Sequence, residues 1–393
     1  MYYHTFQDRE ISALGFGTMR FPLRADRSVD LETVERMVDY AMSHGVNYFD
    51  TALPYHDGNS ETIIGELLSR YPRESWMLAD KYPGHQHSAT FDPAGTFERQ
   101  LEKCRVDYFD FYLYHNICEN SLDNYMDPRW GILEYFAEQR RLGRIKHLGF
   151  SCHATAENLE KILDGPYGQV IEFVQIQLNY LDWTLQDARR KCEILNERGI
   201  PIWVMEPVRG GKLAHPGEAA VQRLQALRPG ESAASWAFRW LKDIPGVTVV
   251  LSGMSSMEQV TDNVRTFSTP EPLSAQEREV LAEIAEGMKN SVPCTGCRYC
   301  CAGCPAELDI PGLLAEYNDL RVQYSHTPMM RLEQLPDDKK PHACLGCGAC
   351  MQICPQGIRI PDELAALAEL YDRSPKWSEV CEERNRIIQE EGK

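Results

Sequence analysis

Residues 294–305 read Cys-Thr-Gly-Cys-Arg-Tyr-Cys-Cys-Ala-Gly-Cys-Pro, and residues 344–355 repeat the spacing as Cys-Leu-Gly-Cys-Gly-Ala-Cys-Met-Gln-Ile-Cys-Pro. Each copy is C-x2-C-x2-C-x3-C-P, the spacing with which bacterial chains hold a [4Fe–4S] cluster. Three closely spaced thiolates wrap one cubane, and in two-cluster proteins the fourth Cys ligates the other cluster. The expected ligands are Cys294, Cys297, Cys300 and Cys354 for one cluster, and Cys344, Cys347, Cys350 and Cys304 for the second. Zinc knuckles and structural disulfides are the alternatives. Zinc sites use four thiolates, often as two C-x2-C pairs, and do not call for the C-x3-C-P continuation twice. Cys301 is a spare thiol beside Cys300 and leaves open which of the two ligates.

The other numbers bound the setting. Fourteen Cys without a basic start or an apolar h-region are expected of a reducing compartment and of metal binding rather than disulfides. No apolar run is long enough to span a bilayer, so the expected location is cytoplasmic. A net charge of −17 argues against a nucleic-acid partner. The length of 393 residues suits two domains, a large one over 1–289 and a small one over 290–393.

From residue 30 onward, helix and strand patterns alternate. Helices are predicted over 30–44 (with Asp30 as N-cap), 61–69, 93–104, 133–142, 156–163, 185–198, 231–241 and 257–264. Strands are predicted over 46–50, 76–81, 108–114, 146–150, 173–177, 201–205 and 247–251. Seven strands follow a candidate N-terminal hairpin. An eighth lies before Thr18 or is misplaced among the others. Such alternation means a parallel sheet, and the count favours a closed barrel over a doubly wound sheet. No G-x-G-x-x-G follows a strand, so a Rossmann nucleotide site is unsupported. The fold class is α/β: a (β/α)8 TIM barrel, which a helix over 273–289 hands over to a small, mostly helical ferredoxin-like domain with helices over 310–324, 361–371 and the charged tail 377–393.

In a barrel, residues at the C-terminal strand ends face the active site. Asp50, Tyr55, Lys81 and His115 lie at or just after such ends. Together they suit acid chemistry on a carbonyl. Tyr55 would donate a proton to the developing alkoxide, Lys81 would lower its pKa, Asp50 would keep Lys81 charged, and His115 would orient the carbonyl oxygen. Singly, each has a plainer reading as packing or surface. The 82–91 loop holds His85 and His87, for which an ordinary surface loop outweighs a metal site.

At these residues the sequence resembles the aldo-keto reductase family. The matching stretches are Tyr48-Phe49-Asp50-Thr51-Ala52 with Tyr55, Gly58-Asn59-Ser60-Glu61, the strand-end Lys81, Asp107-Tyr108-Phe109-Asp110 through His115, and Leu148-Gly149-Phe150-Ser151. The resemblance covers about residues 14–263 and includes the subgroup with a C-terminal ferredoxin-like domain. It implies a (β/α)8 barrel, a nicotinamide cofactor bound without a Rossmann fold, and the tetrad Asp50, Tyr55, Lys81 and His115. His115 favours carbonyl over C=C reduction. The resemblance further implies that Ser151 and Gln175 hold the nicotinamide carboxamide and that Asn263 contacts adenine. Met205 stands where the family stacks an aromatic ring, with Glu206 beside it. Gly253 and Gln259 stand where NADPH users place Lys and Arg, and Ser255 belongs to the same loop. Residues 208–212, with Val208 and Gly210, match a pyrophosphate contact or an ordinary glycine turn. NADPH and NADH both remain open, and no flavin motif is visible.

Clusters pass single electrons and nicotinamide passes hydride, and nothing in the sequence joins the two. Three readings follow. The barrel reduces a carbonyl with NAD(P)H while the clusters are structural; a flavin or other mediator in the barrel links substrate to clusters; or the barrel is non-catalytic and the chain carries electrons to a partner. The partners are a small-molecule carbonyl substrate and, as a candidate, a ferredoxin or other redox protein.

Overall fold

Strands written as unbroken apolar runs need cover on both faces, and a parallel sheet wrapped by helices supplies it. In the computed structural model, which describes residues 1–26, 28–85, 91–118, 121–269, 271–289, 292, 294, 299–322, 326–354 and 358–391, ten strands form: β1 (Tyr3–Phe6), β2 (Arg9–Ser12), β3 (Leu14–Gly17), β4 (Tyr48–Asp50), β5 (Met77–Tyr82), β6 (Phe109–Ile117), β7 (Ile145–Cys152), β8 (Phe173–Gln177), β9 (Ile202–Met205) and β10 (Val247–Gly253). Strands β3 to β10 close into one barrel, with β10 pairing β3. Their neighbours pair in parallel, and β5 buries every residue it has. The strand before Thr18 is therefore β3.

The hairpin β1–β2 plugs the N-terminal end. Phe6 and Ile11 join a core with Tyr48, Met77, Phe111, Phe173 and Trp203. Trp203 meets Phe6 edge-on at 5.2 Å and Phe173 at 4.5 Å. With that end filled by aromatic rings, the C-terminal strand ends are left to carry chemistry.

Two of the helices start at the capping residues the sequence offers. Asp30 accepts a hydrogen bond from the Thr33 amide at 3.4 Å ahead of Leu31–Ser43. Asp92 accepts from Gly95 N at 2.8 Å ahead of Pro93–Cys104. The helix predicted over 185–198 is two, Asp182–Leu185 and Ala188–Glu197, separated at Asp187 with φ 50°. A further helix, Glu218–Leu227, escapes the sequence reading because Leu224 alone is buried, so it has no apolar stripe.

The chain divides into two compact units, Met1–Ile284 and Ala285–Lys393. Among the described residues the second unit is helical: Tyr299–Ala302, Ile310–Val322, His326–Gln334, Ala349–Ile353, Ile360–Arg373 and Trp377–Glu391, with short 3-10 turns. Its core joins Leu313, Leu314, Met329, Leu332, Leu364 and Leu367 to Cys300 and Cys350. No described helix is long and apolar enough to cross a membrane.

Candidate active site

Neighbouring strand ends bring Asp50, Lys81, Tyr55 and His115 together. Lys81 Nζ donates to Asp50 Oδ1 at 2.6 Å and to Thr51 O at 2.7 Å, and stands 3.4 Å from Tyr55 Oη. The Tyr55 and His115 rings meet edge-on at 6.1 Å. Lys81 is fully buried and Asp50 nearly so. Burial alone would pull the Lys81 ammonium down, but Asp50 and Tyr55 outweigh it and hold the group above its usual value. Burial lifts the Asp50 carboxyl, with Lys81 opposing. Burial also raises the Tyr55 hydroxyl. The lowering expected from Lys81 is present as an opposing contribution, but burial is larger. His115 is pushed well below its usual value by burial, with His85, Lys81 and His153 acting in the same direction. Its Nδ1 is buried with no hydrogen-bond partner among the described residues. A neutral imidazole at this point can donate to an oxygen without adding charge.

The turn that carries Tyr55, Tyr55–Gly58, is bent into the left-handed region at His56 (φ 51°) and Asp57 (φ 54°). Such conformations cost energy and persist where surroundings over-determine them. Here the His56 ring stacks on Phe21 at 5.3 Å, and its Nε2 takes the Phe21 amide at 3.1 Å.

Behind the site lies a buried network the sequence reading missed. Asp80 Oδ1 accepts from the Lys81 amide at 2.8 Å, and Gln100 Nε2 donates to the Lys81 carbonyl at 3.0 Å. Gln100 Nε2 also donates to Glu61 Oε1 at 2.9 Å, and Lys103 Nζ to Glu61 Oε2 at 3.1 Å. The backbone is thus clamped on both sides of Lys81. Burial lifts the Asp80 carboxyl well above its usual range, with Glu61 adding to the effect. The legible signal was Asp80, a carboxylate inside a fully buried strand; Gln100 and Lys103 lie in a helix that also carries Glu98, Arg99 and Glu102, so nothing in the sequence set them apart.

The 82–91 loop is a correction. His85 is buried, not a surface residue, and packs on His115 with ring centroids 4.5 Å apart. His87 lies outside the described residues.

The positions matched to a nicotinamide nucleotide lie on the same rim. Ser151 and Gln175 are register partners on β7 and β8 and are both buried. Ser151 Oγ accepts from Asn116 N at 2.7 Å, and Gln175 Nε2 points to Met205 Sδ at 3.7 Å. Gln175 Oε1 is a buried acceptor with no partner among the described residues, which suits a carboxamide NH2. Val208 and Gly210 belong to the turn after β9. Ser255 Oγ donates to Arg20 O at 2.8 Å, and Gln259 Oε1 accepts from Ser255 N at 2.7 Å. Asn263 is buried and gives its Nδ2 to Ser252 Oγ at 3.0 Å.

In the second unit one pocket is lined by Cys304, Cys344, Cys347 and Cys350, together with Leu308, Leu345 and Leu364. Cys304 comes from the first motif and the other three from the second, so the fold brings a crossed set of sulfurs together. Burial lifts the Cys350 thiol, and Cys344, Cys347 and Cys304 are close enough to lift it further. Gly346 (φ 63°) and Gly348 (φ 74°) let the short loop wrap the pocket. Burial pushes the Cys300 thiol up to about 12, with Cys301 and Cys294 nearby. The helices Tyr299–Ala302 and Ala349–Ile353 pack on each other. Cys354 packs against the same core, and Cys297 lies outside the described residues. No group of three or more His, Cys, Asp or Glu among the described residues is placed to hold a single metal ion. Cys304, Cys344, Cys347 and Cys350 share the lining of one pocket instead.

Residues 13–286 match the Aldo/keto reductase family, and residues 293–358 match a 4Fe-4S dicluster domain. The chain belongs to the aldo/keto reductase family. It is 24% identical over 307 residues to an NADH-specific methylglyoxal reductase of Escherichia coli, covering 67% of this chain and 90% of that one. It is 25% identical over 310 residues to an L-galactose dehydrogenase of Arabidopsis thaliana, covering 72% and 92%. An aldo-keto reductase of Bacillus halodurans in its holo form superposes with TM-score 0.58 at 23% identity, over 72% of this chain and 96% of that chain. One from Klebsiella pneumoniae in complex with NADPH does so with TM-score 0.57 at 20% identity, over 71% and 93%. This aldo/keto reductase is therefore an oxidoreductase whose barrel is joined to an iron–sulfur domain.

Proposed function

We propose that this aldo/keto reductase reduces an aldehyde or ketone to an alcohol with NADH or NADPH at the C-terminal mouth of its barrel. We also propose that its second unit holds two [4Fe–4S] clusters with the crossed ligands named above. The observation that carries the first part is the buried Lys81 ammonium set between Asp50 and Tyr55. A phenol beside a fixed cation can give up its proton to an alkoxide and bear the resulting charge. The crossed pocket of Cys304, Cys344, Cys347 and Cys350 supports the second.

When bound, a reduced nicotinamide supplies hydride to the carbonyl carbon. Gln175 Oε1 and Ser151 would hold its carboxamide. His115, neutral, donates to the carbonyl oxygen and fixes its direction toward Tyr55. Tyr55 Oη gives its proton to that oxygen as negative charge develops there. Lys81 steadies the phenolate left behind, and Asp50 keeps Lys81 charged and in place.

The test is Tyr55→Phe in anaerobically prepared protein. Turnover with NADH or NADPH should fall by roughly 100- to 10,000-fold, while nucleotide affinity and iron content stay as in the wild type. Unchanged turnover would remove the tetrad from the mechanism.

A further inference from the structure

The turn after β9 is the most contorted stretch of the barrel rim. Glu206 (φ 55°) and Arg209 (φ 46°) are both left-handed without being glycine, and Gly210 (φ 62°) and Gly211 (φ 96°) follow. Side chains make that region unfavourable, so something must hold these two residues in it.

The holding groups come from the loop after β8. Asp182 is fully buried and accepts from Arg209 Nη1 at 3.1 Å, Gln177 Nε2 at 2.8 Å and Asn179 Nδ2 at 2.7 Å. Asn179 Nδ2 also donates to the Glu206 carbonyl at 2.9 Å. Asn179 Oδ1 in turn accepts the amides of Leu181 at 3.1 Å and Asp182 at 2.8 Å. Both strained residues are thus tied to one Asp–Asn pair, Glu206 through its backbone and Arg209 through its side chain. Arg209 is itself buried, so its guanidinium serves the fold of the turn and not the solvent. A buried pair of this kind is expensive to form, and breaking one side leaves an uncompensated charge. That cost is retained here beside the turn that holds Val208 and Gly210, as it is at Lys81–Asp50 in the site itself.

We propose that Asp182 and Arg209 form a buried lock that presets this turn for the diphosphate of the nicotinamide nucleotide, so that affinity depends on the pair although neither side chain touches the ligand. The proposal rests on the nucleotide reading above. Asp182 and Arg209 are positioning residues: they act through the backbone of 206–211.

The experiment measures the dissociation constants of NADH and NADPH for the full-length holoprotein, with single-turnover rates at saturating nucleotide. The variants are Asp182→Asn, Arg209→Lys and the double variant. Each single change should weaken binding about tenfold, and the double variant should lose no more than the worse single one. The saturated single-turnover rate should stay near wild type, and limited proteolysis should cut within 206–214 in the variants first. If Asp182→Asn does not fold, Arg209→Lys, which keeps the charge but shortens the fork, carries the test. Wild-type affinity in a folded variant, or losses that simply add in the double variant, would overturn the lock. No binding of either nucleotide by the wild type would overturn the nucleotide reading itself, and the lock with it.

Discussion

In the barrel, the charged pair Lys81–Asp50 is assembled over a core that needs no ligand to be complete: Phe6, Phe111, Phe173 and Trp203 fill the N-terminal end, and eight strands hydrogen-bond in a closed ring. In the second unit, the reactive groups are part of the core. Cys300 and Cys350 are among its buried members, and Cys294, Cys304, Cys344 and Cys354 pack against them. The difference is one of what holds what. The barrel orients its site, whereas the cysteine-rich unit, as proposed above, would build its core around the clusters it holds. Where binding and folding are one event, the binding free energy is folding free energy.

The largest effect should therefore come from stripping iron. Chelation under reducing, anaerobic conditions should unfold residues 285–393 and leave the barrel standing. Limited proteolysis with mass spectrometry would show a resistant fragment ending near residue 284, and far-ultraviolet circular dichroism would show a partial loss of helix. Equal resistance of both units in the iron-free protein would break the contrast. Next in size is Lys81→Met, which leaves the Asp50 carboxylate buried without its cation. Loss of one partner of a buried pair costs about 3–5 kcal/mol, read by urea unfolding of the barrel. The double variant Asp50→Leu/Lys81→Met should recover much of that stability but no activity. If Lys81→Met is as stable as the wild type, the site is more open to water than its burial indicates.

Most of this contrast was legible in the residues. The spacing of Cys294–Cys304 and Cys344–Cys354 pointed to the 4Fe-4S dicluster domain that residues 293–358 match, because thiolate spacing within a motif is a local property. The strands were legible because short apolar stretches mark them, as in β9, which is Ile-Trp-Val-Met, and the apolar start of β5, and Asp50, Tyr55, Lys81 and His115 followed from their places at strand ends. What stayed hidden was made by contacts between distant segments. His85 reads as a loop residue until the fold lays it on His115. Asp182 and Arg209 sit 27 positions apart, with nothing in either neighbourhood to pair them. The helix Glu218–Leu227 was hidden for a different reason: it buries too little to leave a pattern.

The smallest expected effect sharpens the picture of the barrel site. Burial lowers His115 below the ordinary 6.5, so the unfolded chain takes up this proton at a higher pH than the folded one. The unfolded state then binds more protons between those two values, and stability rises with pH across that window. The barrel should lose stability as pH falls below about 6.5, by at most about 1.4 kcal/mol per unit from this one group. His115→Gln, neutral at every pH, should flatten that part of the curve. Urea unfolding at pH 7.5, 6.5 and 5.5, followed by the fluorescence of the buried Trp203 and Trp236, gives the comparison. Burial also lifts the carboxyls of Asp50 and Asp80, but they remain in both proteins, so the difference between the two curves isolates the imidazole. Identical slopes would mean that the His115 imidazole takes up its proton alike in the folded and unfolded chain, and that burial does not keep it neutral. It would then serve as the neutral donor toward a carbonyl oxygen only above about pH 6.5.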